Sequence, residues 1–192
     1  AWPTNDDLTL VIAGWPYREF ETNRTDVERH FFETLDTAPE FAERVRGAKR
    51  EERFVGAAVP GYFRRPYGPG WILVGDAGYN KDYITAQGIS DAFLDAEACA
   101  GALDQALSGA RPLDEAMEDV TSSRDARVKA MYELTADFAS LEPASPELQQ
   151  LLAAVSRSQE AMDGFARVLA GLTSPADFFS DENAGRILAA AA

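Results

Sequence analysis

The chain has 192 residues, 46% of them hydrophobic, and a formal net charge of −14 from 18 basic and 32 acidic side chains. This length and apolar content suffice for one good folded core or two small ones, while the negative charge argues against binding to nucleic-acid phosphates. No stretch has the apolar length of a membrane span. The single cysteine, Cys99, excludes an internal disulfide and fits a cytoplasmic environment.

Three apolar runs in the first part of the chain predict β-strands. Residues 8–14 are rich in β-branched side chains and follow a turn sequence. Residues 49–59 end in an apolar run before Pro60-Gly61, which predicts a turn. Residues 71–74 are four apolar residues leading into Gly75-Asp76 and predict a short buried strand.

Helical spacing predicts two short helices between the first two strands. The first runs to about Leu35, with Thr25 or Asp26 as N-cap. The second begins at Pro39 and ends near Gly47. His30 falls on the first of these helices among charged neighbours, so we expect it at the solvated surface.

From Gly88 onward the pattern is helical only. A helix ending at Gly109 is followed by one from about Pro112, a third from Ser145-Pro146 and a last one from Ser174-Pro175. Five large apolar residues of these later helices are predicted to be buried: Met117, Met131, Phe138, Leu152 and Phe165. Strands and short helices followed by helices alone indicate an α+β fold.

The strand ending in Gly75-Asp76, the polar loop after it and the helix from Gly88 suggest a ligand site. A carboxylate directly after a strand can accept hydrogen bonds from ligand hydroxyls, or it can cap its own loop. Gly88 lets a ligand approach the backbone closely, and the amino end of the helix stabilises negative charge. An ordinary first helical turn is the alternative interpretation for Gly88.

Residues 71–98 resemble the second flavin-binding motif of the FAD-dependent monooxygenase superfamily of the p-hydroxybenzoate hydroxylase type, which includes geranylgeranyl reductases and flavin-dependent halogenases. The resemblance implies that Asp76 binds the ribityl chain of FAD and that the helix from Gly88 points at the pyrimidine edge of the flavin. The cofactor-binding residues that it implies are Gly75, Asp76, Ala86, Gln87, Gly88 and Ile89. It implies a partial substrate-binding domain in residues 1–70, with part of an antiparallel sheet and short helices, the end of an FAD domain in 71–110 and a helical extension in 111–192.

The loop at residues 79–85 departs from the family because it contains no histidine, proline or glycine. Lys81, Asp82 and Tyr83 are candidates for the flavin face or the substrate, and a solvated charged loop is an equal alternative. The preceding aromatic and basic segment could line a substrate or cofactor channel, although a surface strand with paired charges is favoured for it. Its residues are Tyr62, Arg64, Arg65 and Tyr67.

The family also needs an N-terminal Rossmann-type unit with a G-x-G-x-x-G turn for the FAD pyrophosphate. This sequence has no such turn. We therefore expect a C-terminal portion of a longer protein, an expectation that the start at Ala1 rather than Met also suggests. Exposed apolar surface where the other domain packs would favour self-association into a homo-oligomer.

The resemblance implies a flavin-dependent oxidoreductase, a monooxygenase or reductase, that acts on a small organic substrate with NAD(P)H as electron donor. It identifies no catalytic residue in this chain. With one histidine and one cysteine, no metal site is expected. A non-catalytic helical module for ligand binding or protein interaction is the alternative function.

Overall fold

The computed structural model describes residues 1–58 and 60–191. It contains helices and small antiparallel strand pairs, so the α+β class is confirmed at this level. The chain divides into two compact units, Ala1–Val59 and Pro60–Ala192. None of the described helices is long and apolar enough to cross a membrane.

The first unit consists of a small hairpin followed by short helices. Strand β1 (Trp2–Pro3) pairs antiparallel with β2 (Thr9–Leu10). The helices are α1 (Phe20–Asn23), α2 (Val27–Leu35) and α3 (Pro39–Arg46). The Asp26 side chain accepts a hydrogen bond from the backbone N–H of Arg29, so Asp26 is the N-cap of α2.

The core of the first unit is aromatic, and this explains why the strand predicted at residues 49–59 is wrong. No strand is present in residues 49–58, the described part of that prediction. Phe54 instead packs on the ring of Phe31, with a centroid distance of 5.0 Å. Packing of the Phe54 ring in the core thus takes the place of the expected strand pairing. The charged residues 49–53 before it are exposed.

The second unit begins with two strand pairs. Strand β3 (Tyr62–Phe63) pairs with β6 (Tyr79–Asn80), and β4 (Tyr67–Gly68) pairs with β5 (Trp71–Ile72). The predicted strand at 71–74 is thus shorter than expected, although the backbone N–H of Leu73 still donates to the Pro66 carbonyl at 2.7 Å.

Helices make up the rest of the second unit. They are α4 (Gly88–Leu107), α5 (Leu113–Ala139), α6 (Pro146–Val155), α7 (Gln159–Leu169), α8 (Pro175–Phe178) and α9 (Asp181–Ala190). Ser145 and Ser174 cap their helices as predicted. The predicted third helix is divided, because the Ser158 hydroxyl accepts from the N–H of Ala161 and starts α7 afresh.

Two apolar clusters hold the helices of the second unit. One joins α5 to the later helices around Met131, Leu151 and Val168. The other joins α4 and α5 through Cys99 and Met117, with residues from β4 and β5 packed against them. Met117 and Met131 are buried as predicted, whereas Phe138, Leu152 and Phe165 are only half-buried. The second cluster places β5 and Val74, which precede the Gly75-Asp76 turn, on α4 and α5.

Truncating Met117 tests this packing. Met117 is 1% exposed, so Met117→Ala should lower the free energy of unfolding by about 2–5 kcal/mol through lost burial and the cavity left behind. Chemical denaturation measures the change. Met162→Ala is the matched control, since Met162 is 39% exposed and its truncation should have a much smaller effect. Equal losses for the two variants would contradict the packing described for α4 and α5.

Candidate functional site

Glycine is required at position 75 by the way the turn packs on α4. Residues Gly75–Ala77 form one turn of 3-10 helix, and Gly75 has φ +57°. A Cβ placed there would lie 2.8 Å from the Cβ of Ala92. Both the left-handed backbone and the close approach exclude a larger side chain. The turn therefore lies directly against the first two turns of α4.

Asp76 extends from this turn toward the start of α4. Its side chain is exposed, and its Oδ1 lies 3.7 Å from the position that a Cβ on Gly88 would occupy. The amino end of a helix has a partial positive charge that stabilises a nearby carboxylate. The structure thus brings together Asp76 and Gly88, the two residues on which the predicted site depends.

The start of α4 has no side-chain cap. Gln87 is at the N-cap position, but its side-chain amide donates instead to the carbonyl of Leu169 at 3.0 Å. Gly88, Ile89 and Ser90 are exposed. The first N–H groups of α4 are consequently not satisfied by a capping side chain and can donate to a ligand.

Ala86 has a strained backbone just before this helix. It has φ +54° and ψ +34°, in the left-handed region that a residue with a Cβ rarely adopts. The hydroxyl of the preceding Thr85 is hydrogen-bonded at 2.9 Å to that of Thr135 on α5, and both side chains are buried. Such strain persists only where the surroundings impose it, and it concentrates at functional sites.

The three candidate residues for the flavin face occupy different environments. Lys81 is buried, and its ammonium contacts the Asp91 carboxylate and donates to the Tyr79 hydroxyl at 3.1 Å. The Asp82 side chain accepts from the backbone N–H of Ile84 at 2.9 Å. Tyr83 is exposed. Of the three, Tyr83 alone has its side chain largely in solvent, and Lys81 points into the unit.

The charges around Lys81 form a cluster that ties the turn to the helices, and it is buried at Lys81, Asp91 and Asp95 and exposed at Arg127. Arg127 on α5 contacts Asp95 at 3.1 Å and Asp91 at 3.8 Å. The backbone N–H of Gly75 lies near Asp95 and acts to lower the pKa of its carboxyl. Asp91 and Asp95 are one helical turn apart on α4, so one face of that helix holds the loop through Lys81 and the turn through Gly75.

Burial shifts the titration of two groups in this cluster. It raises the pKa of Asp95, an effect that outweighs the attraction of Arg124 and Arg127. Burial also raises the pKa of the Tyr79 hydroxyl, and the negative charge of Asp91 adds to this. The Tyr79 hydroxyl therefore remains protonated at neutral pH and is a hydrogen-bonding group of the interior.

Tyr62 and Arg64 hold the other side of the turn. The Tyr62 hydroxyl donates to the Asp76 carbonyl at 2.6 Å, and the Arg64 guanidinium donates to the Ala77 carbonyl at 3.3 Å. Tyr67 lies apart from them, its hydroxyl 3.4 Å from the Asp114 carbonyl. The surface strand favoured for this segment is present at Tyr62–Phe63. The paired charges are not, because Arg64 is exposed but forms no ion pair with the described residues.

Sequence reasoning missed the buried cluster, although a signal for it exists. Asp91 and Asp95 are four residues apart, and Arg124 and Arg127 are three apart, so each pair lies on one helix face. Aspartates inside an otherwise apolar helix pattern would have indicated a charged inner face. The pattern alone could not indicate that α5 is the helix that packs on this face of α4.

No alternative centre is apparent in the described part of the chain. No group of three or more His, Cys, Asp or Glu residues there could hold a metal ion. His30 is half-buried in the first unit rather than solvated, with its Nδ1 3.1 Å from the Glu33 carboxylate. No protein-family model matches the chain, and comparisons with curated proteins and with solved structures give no match.

The buried cluster predicts that Lys81 is a residue of high structural importance. Lys81→Met leaves Asp91 without its ammonium partner, so the free energy of unfolding should fall by about 3–5 kcal/mol. The double variant Lys81→Met/Asp91→Leu should recover most of that loss, because no unpaired charge remains. Denaturant unfolding of the three proteins measures this coupling.

Lys49→Met is the control for Lys81→Met. Lys49 pairs with Glu51 at the surface, where the Lys49 side chain is 82% exposed, and its loss should change stability little. A Lys81→Met variant as stable as Lys49→Met would show that the buried pair does not hold the loop.

Proposed function

We propose that this chain supplies the part of an FAD site that faces the ribityl chain and the flavin ring, in a flavin-dependent oxidoreductase. The reaction class is monooxygenation or reduction of a small organic substrate with NAD(P)H as electron donor. The proposal comes from the resemblance of residues 71–98, and the geometry around Asp76 supports it.

The observation that carries the proposal is the placement of Asp76 at the amino end of α4. The carboxylate can accept hydrogen bonds from two neighbouring hydroxyls, as a ribityl chain presents them. Beside it, exposed Gly88 and the uncapped N–H groups of α4 offer donors and a partial positive charge. A hydroxyl-rich chain attached to a ring that gains negative charge on reduction matches both features.

The rigidity of the turn supports the same proposal. Gly75 is held by Asp95, the Asp76 and Ala77 carbonyls by Tyr62 and Arg64, and Ala86 is kept in a strained conformation. A ligand that binds to a preorganised site loses less free energy on ordering it. An exposed aspartate that only capped its own loop would not need so many constraints on the turn.

The outer face of α4 supports a second folded part covering this unit. Ile89, Phe93 and Leu107 are 76%, 73% and 86% exposed. They continue a stripe with helical spacing through Ala96, Ala100 and Leu103. Exposed apolar stripes of this kind mark interaction surfaces. In the proposed flavoprotein the stripe packs against the domain that binds the pyrophosphate.

The chain's own residues then have defined roles. Asp76 orients the ribityl chain, and the amino end of α4 stabilises negative charge on the pyrimidine side of the ring. When bound, the flavin supplies hydride or oxygen transfer, chemistry that no side chain can perform. Tyr83 is the most exposed of the three loop candidates, and Tyr83 and its neighbour Asp82 are the candidates for contact with substrate.

Replacing Asp76 tests the proposal directly. In the full-length gene product, Asp76→Ala should weaken FAD binding by about 1–3 kcal/mol, the range for losing hydrogen bonds to a charged acceptor. Equilibrium titration with FAD, followed by flavin fluorescence, measures the change. Asp104→Ala is the matched control, since Asp104 is an exposed aspartate further along α4.

A folded Asp76→Ala protein with the FAD affinity of the Asp104→Ala control would refute the role of Asp76. A full-length protein that neither contains flavin nor binds it would refute the whole proposal. That second outcome would favour the alternative of a non-catalytic interaction module built on the α4 face.

The 192-residue chain alone should not retain FAD through purification. It contains the ribityl and ring side of the proposed site but no glycine-rich turn for the pyrophosphate. A visible absorption spectrum and an FAD titration measure this. A stoichiometric flavin band, or a dissociation constant in the low micromolar range (about −8 kcal/mol), would contradict the expectation and show that a strong phosphate site is present.

A further inference from the structure

The segment next to the Asp76 turn has an unusual charge for this protein. Residues 60–75 contain two arginines, Arg64 and Arg65, and no Asp or Glu, although the chain as a whole has 32 acidic side chains. Both arginines are exposed, and neither forms an ion pair with the described residues. A local positive patch therefore adjoins the proposed ligand site of a strongly acidic chain.

Arg64 is held in place without its charge being neutralised. Its guanidinium carbon lies 4.1 Å from the centroid of the Tyr62 ring, a cation–π contact. One terminal N–H group donates to the Ala77 carbonyl at 3.3 Å, and the backbone N–H donates to the Gly78 carbonyl at 2.8 Å. These contacts orient the guanidinium beside the turn and leave other N–H donors for an external acceptor.

We infer that Arg64 is an anion-binding residue that receives a phosphate group of the ligand bound at the Asp76 turn. A guanidinium presents two parallel N–H groups that match two phosphate oxygens, and this pairing is stronger than a neutral hydrogen bond. The stacking on Tyr62 reduces the side-chain freedom lost on binding. Arg65 adds to the local positive potential.

This inference deepens the proposed function and rests on it only for the claim that the ligand occupies the turn. The phosphate has two possible sources, the flavin cofactor or a phosphorylated substrate. The chemistry at Arg64 is the same for both. Because inorganic phosphate lacks the other contacts of the complete ligand, it should bind weakly, and the measurement must resolve millimolar affinities.

The test is an NMR titration of the isotope-labelled 192-residue chain with inorganic phosphate and with inorganic pyrophosphate, at constant ionic strength maintained with chloride. The side-chain Nε–Hε resonance of Arg64 should shift and saturate. The same resonance of Arg157, an exposed arginine far along the chain, should not. Arg64→Gln should weaken pyrophosphate binding by at least about tenfold, which is about 1.4 kcal/mol.

The variants separate anion binding from a structural role. Arg64→Lys should retain part of the affinity, because the charge remains while the two-pronged contact is lost. Arg157→Gln should bind as the parent chain does. Equal, unsaturable shifts at Arg64 and Arg157 in the parent chain would overturn the inference without the need for a folded variant. So would an Arg64→Gln protein with unchanged affinity.

Flavin titrations of the full-length protein and of its Arg64→Gln variant identify the source of the phosphate. If it belongs to the cofactor, Arg64 adds to the pyrophosphate contacts of the other domain, so Arg64→Gln reduces the preference for FAD over riboflavin. If it belongs to a substrate, Arg64→Gln loses inorganic phosphate but keeps the difference between the flavins. Phosphate binding at Arg64 together with a full-length protein that binds no flavin would support the anion site while refuting the flavin function.

Discussion

The buried charge cluster on the inner face of α4 determines the geometry of the candidate site. A charge removed from water is tolerated only when partners surround it, so Asp91 and Asp95 must face Lys81 and Arg127. This requirement sets the rotation of α4 about its axis. It also places the Asp95 carboxylate near the backbone N–H of Gly75, so the turn that bears Asp76 lies at the start of the helix.

The same rotation explains why α4 exposes its most hydrophobic side chains. With the two aspartates inside, Ile89 and Phe93 must point outward. In a helix that packs on a single core the polarity would be reversed. A helix with an ion-paired inner face and an apolar outer face has both faces covered only when it lies between two layers. The charges orient α4 on its own unit, and the apolar stripe remains available to a partner surface.

Local sequence signals predicted where the elements of this chain begin better than they predicted which elements pack together. The caps at Asp26, Ser145 and Ser174 and the glycine at the start of α4 follow from rules that operate within a few residues. The strand predicted at 49–59 was wrong because an aromatic core, assembled from distant residues, decides the conformation of Phe54. Likewise, the pattern indicated Asp76 and Gly88, but the inward direction of Lys81 depends on α4 and α5 together.

The net charge of −14 does not decide what the site can bind. At physiological salt, exposed charges further apart than roughly 8 Å are largely screened, so the potential at the turn is set by the groups that touch it. The exposed groups among them are the Asp76 carboxylate, the amino end of α4 and the guanidinium of Arg64, which forms no ion pair with the described residues. The turn thus presents one acceptor for hydroxyls together with two sources of positive potential. This local arrangement suits a ligand that combines hydroxyl groups with negative charge, even though the surface as a whole repels anions.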